Sequence, residues 1–128
     1  MEKRPLGLAA ARAHNDVLDP VEVAVVRPEG ELSVTELRAL AQHCFRCAQE
    51  GAVRLVLDLQ FVEHLDYRGV GMLVAARQLL RRQGGDLILA NASPYLVALL
   101  RAAGAHGKLE TGVSVEAAKA RFFSGMAF

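Results

Sequence analysis

The sequence predicts an α/β fold, with a mixed β-sheet of about four to five strands packed against about four helices. Three observations predict it. Short segments of branched apolar residues alternate with longer ones whose apolar positions recur every three or four residues. Gly, Pro and Ser stand at nearly every junction between the two kinds. One apolar run, Val53 to Leu59, contains neither Gly nor Pro and reads as a central strand. A chain of 128 residues, 52% hydrophobic and 23% charged, suits one domain with its own core, and no repeat or low-complexity linker divides it.

Leu6 to Ala13 and Val21 to Arg27 read as an opening strand pair joined by a turn through Asn15 to Pro20, with Val21, Val23 and Val25 alternating around Glu22 and Ala24. Pro28-Glu29-Gly30 breaks the pattern. Ser33-Val34-Thr35-Glu36 then matches a capping box, in which the serine oxygen and the glutamate carboxylate satisfy amide groups at a helix start. The helix should run from Val34 to Glu50 and bury Leu37, Leu40, Ala41, Cys44 and Ala48, with Gly51 closing it.

After the Val53 strand and the segment Phe61 to Leu65, an amphipathic helix is expected between Arg68 and Gln83. It carries Val70, Leu73, Val74 and Leu80 on one side and Arg77, Gln78, Arg81 and Arg82 on the other. Gly84-Gly85 stops it, and Asp86 to Ala90 forms a short strand. Ser93-Pro94 opens the next helix with a serine cap and a proline at its first position, where the missing amide hydrogen costs nothing. Gly104 ends that helix. A weak edge segment near Lys108 to Glu110 leads to Ser114, the cap of a last helix reaching about Phe123. The tail, 119–128, is apolar; its phenylalanines either dock on the core or form a patch for a partner or a homodimer.

Composition excludes several functions. With 15 basic and 14 acidic residues the net charge is +1, so no basic field exists to hold nucleic acid. The N-terminal apolar run is too short and too interrupted for a signal peptide, and no stretch approaches the roughly 20 apolar residues of a membrane span. A cytoplasmic location follows. Cys44-Phe45-Arg46-Cys47, with His43 before it, has redox-like spacing. The pair lies more than two turns into a helix, however, and not at an N-terminus that would lower a thiol pKa. A second Cys/His pair to complete a zinc site is missing from the sequence. The two cysteines therefore read as reduced, buried small apolar residues. No cofactor and no metal are expected, and no Gly-rich phosphate loop supports a nucleotide.

From Val21 to Ala118 the order of elements and their punctuation resembles the STAS family, named for sulphate transporters and anti-sigma factor antagonists. The strand Val53-Arg54-Leu55-Val56-Leu57-Asp58-Leu59, followed by Leu65-Asp66-Tyr67-Arg68-Gly69-Val70-Gly71, is similar to the family's strand and its Asp-Ser-Ser/Thr-Gly-Leu-Gly loop. Asp66, Gly69 and Gly71 fit that pattern. Gly30-Glu31-Leu32, Gly84-Gly85, Ser93-Pro94 and Gly104 support it by their order. Tyr67 stands where phosphorylated members carry serine, Arg68 where a second hydroxyl residue is common, and Ser33 where an aspartate is usual.

The resemblance implies a single STAS-like domain over 1–128, with its core at about 21–118, acting as a non-catalytic interaction module in bacterial signalling. It implies an anti-sigma factor with a kinase-like fold, or other STAS proteins, as partner. The alternative is a small STAS subunit of an ABC-type transporter ATPase, as in lipid trafficking. The implied partner face comprises Ser33, Asp66, Tyr67, Arg68, Gly69 and Gly71, with Tyr67 as the degenerate phosphosite. Each has a structural reading too. Ser33 and Asp66 can be helix caps, the glycines can permit close packing, and Tyr67 can lie against a neighbouring loop. His64 and His106 read as solvated loop residues.

Overall fold

The computed structural model describes residues 23–123, so the expected opening strand Leu6 to Ala13 and the end of the apolar tail lie outside the described residues. In chain order the elements are β1 (Ala24–Val26), β2 (Glu29–Leu32), α1 (Val34–Gln49), β3 (Arg54–Asp58), β4 (Phe61–Leu65), α2 (Val70–Arg82), β5 (Asp86–Ala90), α3 (Pro94–Ala102), β6 (Glu110–Gly112) and α4 (Val115–Arg121). A 3-10 turn, Tyr67–Gly69, leads into α2. The architecture is α/β, as the periodicities require.

Four strands form one sheet in the order β1-β3-β5-β6, and every pairing among the described residues is parallel. Strands covered on both faces have no polar side to show, which is why β3 and β5 read as continuous apolar runs. Their alternate residues divide between two cores. Ala24, Val26, Leu55, Leu57, Leu87 and Leu89 pack with side chains of α1, α2 and α3, whereas Val25, Val56, Ile88 and Ala90 pack with Val115 and Ala118 of α4. Three helices thus cover one face and one short helix the other. The strand order advances without reversing among the described residues, so the sheet lacks there the switch-point crevice in which open α/β folds hold nucleotides.

β2 and β4 form a separate parallel ribbon that continues β1 and β3 beyond a bend. The sequence reading ended the strand at Pro28-Glu29-Gly30, and the structure corrects this: proline interrupts the ladder, but the chain recovers extended geometry from Glu29 and pairs with β4. Asp58 fixes the bend. Buried to 2% exposure, its carboxylate accepts from Arg27 Nε (3.1 Å), the Gln60 amide (3.1 Å) and Asn91 Nδ2 (3.0 Å), tying together the ends of β1, β3 and β5.

The helices start where their caps predict. Ser33, Ser93 and Ser114 each accept a hydrogen bond from the backbone three residues on, and α1 has the full capping box. Its buried residues include all five expected, together with His43 and Cys47. Gly85 is a place where only glycine fits, because a Cβ there would lie 1.8 Å from the Val53 carbonyl oxygen.

Arg77 departs from its expected place on the solvent side of α2. Its side chain is 7% exposed and bonds Asp86 (2.7 Å), Glu110 (3.3 Å) and the Lys108 carbonyl (3.0 Å). Helical spacing puts it on the polar flank, but packing α2 over β5 and β6 encloses that flank, and two carboxylates compensate the burial of the charge.

Candidate functional site

Two helix starts meet at the end of the β2–β4 ribbon. Leu32 pairs with Leu65, and the Asp66 amide donates to the Leu32 carbonyl at 2.9 Å, which fixes the Ser33 and Asp66 loops side by side. The chain passes straight from each strand into a cap, so the first residues of α1 and of the 3-10 turn present their amides at the same end of the molecule.

Ser33 is held as the cap of α1. Its Oγ accepts from the Glu36 amide (3.2 Å), while Glu36 Oε1 accepts from the Ser33 amide (3.1 Å). Asp66 caps the turn in the same manner, accepting from the Arg68 amide at 2.9 Å. Arg68 then folds back and donates from Nε (3.0 Å) and from a terminal nitrogen (2.7 Å) to the same carboxylate. These hydrogen bonds from Arg68, side chain first and backbone second, lower the Asp66 pKa from 3.8 to about 2. Two of the predicted residues thereby neutralise one another.

Tyr67 is 63% exposed, so most of its side chain faces solvent. The two glycines part company. A Cβ on Gly69 would come within 2.6 Å of Leu37 Cδ1, so Gly69 lets α1 pack on the turn, whereas a Cβ on Gly71 would meet nothing within 4 Å. Gly69 is thus structural. Gly71 is exposed on the first turn of α2, where a partner's backbone can approach closely.

His64 is exposed, as the sequence suggested, but it is not in a loop. It lies on β4, its Nδ1 is 2.5 Å from the Tyr95 hydroxyl, and the two rings stack with centroids 5.8 Å apart. A β-bulge causes this: Gly30 pairs with Val62 and Glu31 with His64, leaving Glu63 as the extra residue. Leu65 is thereby returned to the core and His64 is aimed outward toward α3. The register shift leaves no trace in the sequence beyond the broken alternation of Phe61-Val62-Glu63-His64-Leu65, so neither His64 nor Tyr95 stands out there. His106 is exposed and joins Leu109 through an isolated bridge.

The cysteines match the expectation. Both are free and buried, and burial, reinforced by Cys47, pushes the Cys44 thiol up to about 12. Cys47 Sγ sits 3.5 Å from His43 Nε2 inside α1's buried face. Among the described residues, no group of three or more His, Cys, Asp or Glu side chains is arranged to hold a metal ion. A half-open cavity of about 230 Å³ lies toward the far end of α3, lined by Leu100, Arg101, His106, Leu109 and Thr111, away from the two helix starts.

The sequence between residues 11 and 118 matches the STAS domain family model. The chain belongs to the STAS domain family. Solved structures agree at the level of fold. TM1081 of Thermotoga maritima, a candidate anti-sigma factor antagonist, is similar with a TM-score of 0.71 and 17% identity over 83% of this chain and 91% of that one. The unphosphorylated anti-sigma factor antagonist SpoIIAA, a Bacillus cell fate determinant, gives 0.57 and 21% over 86% and 96%. The murine anion transporter Solute Carrier 26 member A9 gives 0.65 and 16%, with 89% of this chain aligned to 20% of the transporter. A comparison with curated proteins gave no significant match. Among the described residues of this STAS chain, no helix is long and apolar enough to cross a membrane.

Proposed function

We propose that this STAS domain is a non-catalytic interaction module of the anti-sigma factor antagonist kind, acting in the cytoplasm and not switched by serine phosphorylation at the family's usual position. Exposed Tyr67 at the convergence of two helix starts carries the reading. A serine there would offer a kinase its hydroxyl. A phosphate added at that point would bring about −1.5 to −2 charges to a partner surface and break the contact. Tyr67 and Arg68 instead offer a ring and a guanidinium tied to Asp66, residue types suited to binding hot spots. The partner face takes in Ser33, Asp66, Tyr67, Arg68 and Gly71, with Gly69 supporting it from beneath. A kinase-like anti-sigma factor or another STAS protein is the partner this reading names.

The test is affinity capture of the tagged protein, paired with Tyr67→Asp and read by mass spectrometry. Recovery of a kinase-like regulator or STAS proteins, lost with Tyr67→Asp, is the expected result. Capture unchanged by the substitution removes the loop from the interface, and phosphotyrosine at Tyr67 in protein from native cells overturns the unswitched reading.

A second reading, a small STAS subunit of an ABC-type transporter ATPase, has support from the occurrence of the same fold as 20% of an anion transporter. Recovery of an ATPase in the same capture would select it.

A further inference from the structure

The outer face of the β2–β4 ribbon is the part of the surface that the loop does not explain. Strand alternation, register and burial agree on which side chains it presents. Glu29 pairs with Phe61 and Glu31 with His64, while Gly30, Val62, Leu32 and Leu65 turn inward. The bulge adds Glu63 as a further exposed residue, and the His64–Tyr95 stack extends the face onto α3. Phe61 is 56% exposed and Tyr95 52%, so two large rings face water beside three carboxylates. Among the described residues, no ion pair engages Glu29, Glu31 or Glu63, and the nearby cation Arg68 is committed to Asp66.

We propose that this face docks an arginine-bearing segment of a protein partner. A guanidinium is planar: it stacks on a ring while its edge donates in a fork to a carboxylate, and it sheds water more readily than an ammonium. Rings and carboxylates side by side satisfy both demands at once. A purely apolar partner would bury the carboxylates without compensation. A second copy of the same face would set like charges against one another across a two-fold axis, and a nucleic acid backbone would be repelled outright. The face is also continuous with the loop through Glu31, His64 and Asp66, so one partner can span both. The proposal rests on the interaction-module reading and adds the chemistry of the partner.

The experiment is an NMR titration of the isotope-labelled full chain with a synthetic arginine–alanine peptide and with its lysine counterpart. Expected shifts concentrate at Phe61, Glu63, His64 and Tyr95. Phe61→Ala and Glu63→Gln should each weaken binding by about fivefold, the loss typical of a contact residue, while Glu116→Gln on α4 leaves it unchanged. Tyr95→Phe, which keeps the ring, should bind nearly as well as the parent, whereas Tyr95→Ala should not. Absence of shifts, shifts scattered over all acidic positions, equal binding of the lysine peptide, or indifference to Phe61→Ala overturns the proposal. Failure of the module reading would appear separately, as cellular capture indifferent to Tyr67→Asp.

Discussion

At Asp66 a short side chain performs two tasks, capping a helical turn and neutralising Arg68, and both favour its ionised form. A carboxyl with a depressed folded-state pKa contributes stability above its unfolded value, and that contribution disappears as pH falls through the folded value. The window therefore lies between 3.8 and about 2. Carbon-detected titration should place the Asp66 midpoint near the lower figure, and Arg68→Ala should return it toward the upper one. The opposite sign applies to Cys44. Its folded pKa is raised from 9.0 to about 12, so its contribution is complete below pH 9 and is lost as pH rises toward 12. Folded protein at pH 8 should resist alkylation by iodoacetamide at Cys44 and react on unfolding; a fast-reacting native thiol would contradict the burial. The glycines give a paired prediction. Gly69→Ala should cost about 1–3 kcal/mol, because Leu37 is fully enclosed and cannot yield. Gly71→Ala should gain up to about 1 kcal/mol of helix stability, and should weaken partner binding if α2's first turn is in the interface. Thermal or denaturant melts check both.

At the scale of elements, caps and networks carry the consequences. Removing the α1 cap with Ser33→Ala should cost about 1 kcal/mol, since it orphans the Glu36 amide and half of a capping box. A larger loss would show that the Ser33 loop also supports its Asp66 neighbour. Arg77 joins α2 to β5 and β6, and Arg77→Met should destabilise by about 2–3 kcal/mol, less than a fully buried ion pair, because Asp86 and Glu110 keep some solvent and second arginines. The bulge at Glu63 is the element-scale event that most affects the surface. Glu63 is the unpaired residue of the bulge, and without it Phe61-Val62-His64-Leu65 would alternate regularly against Glu29-Gly30-Glu31-Leu32; deleting Glu63 should therefore remove the bulge while keeping His64 outward and Leu65 in the core, with the Tyr95 contact still visible by NMR.

For the whole molecule, a parallel sheet with three helices on one face gathers two helix starts at the end of the ribbon, so the proposed binding surface is built of strand ends and first turns. Periodicity was enough to place the elements: β3, β5, α2 and the three serine-capped helices α1, α3 and α4 fall close to their expected bounds, because helical spacing, caps and glycine stops are local. The candidate loop was also legible, since Asp66, Tyr67, Gly69 and Gly71 follow a strand and open a helix within a few residues. What local pattern cannot show is pairing across the chain. β2 follows a proline and contains a glycine, so it reads as a break until β4 supplies its hydrogen bonds. Arg77 sits on a polar helical flank until β5 and β6 close over it. His64 and Tyr95 are 31 residues apart, and only the bulge and the placement of α3 bring their rings together. The sequence by itself determined the kind of fold, the ends of its helices and the loop in which this chain carries Tyr67 where phosphorylated members of the family carry serine. Tertiary structure decided the rest of the surface, because register shifts and the burial of charge depend on contacts between residues far apart in the chain.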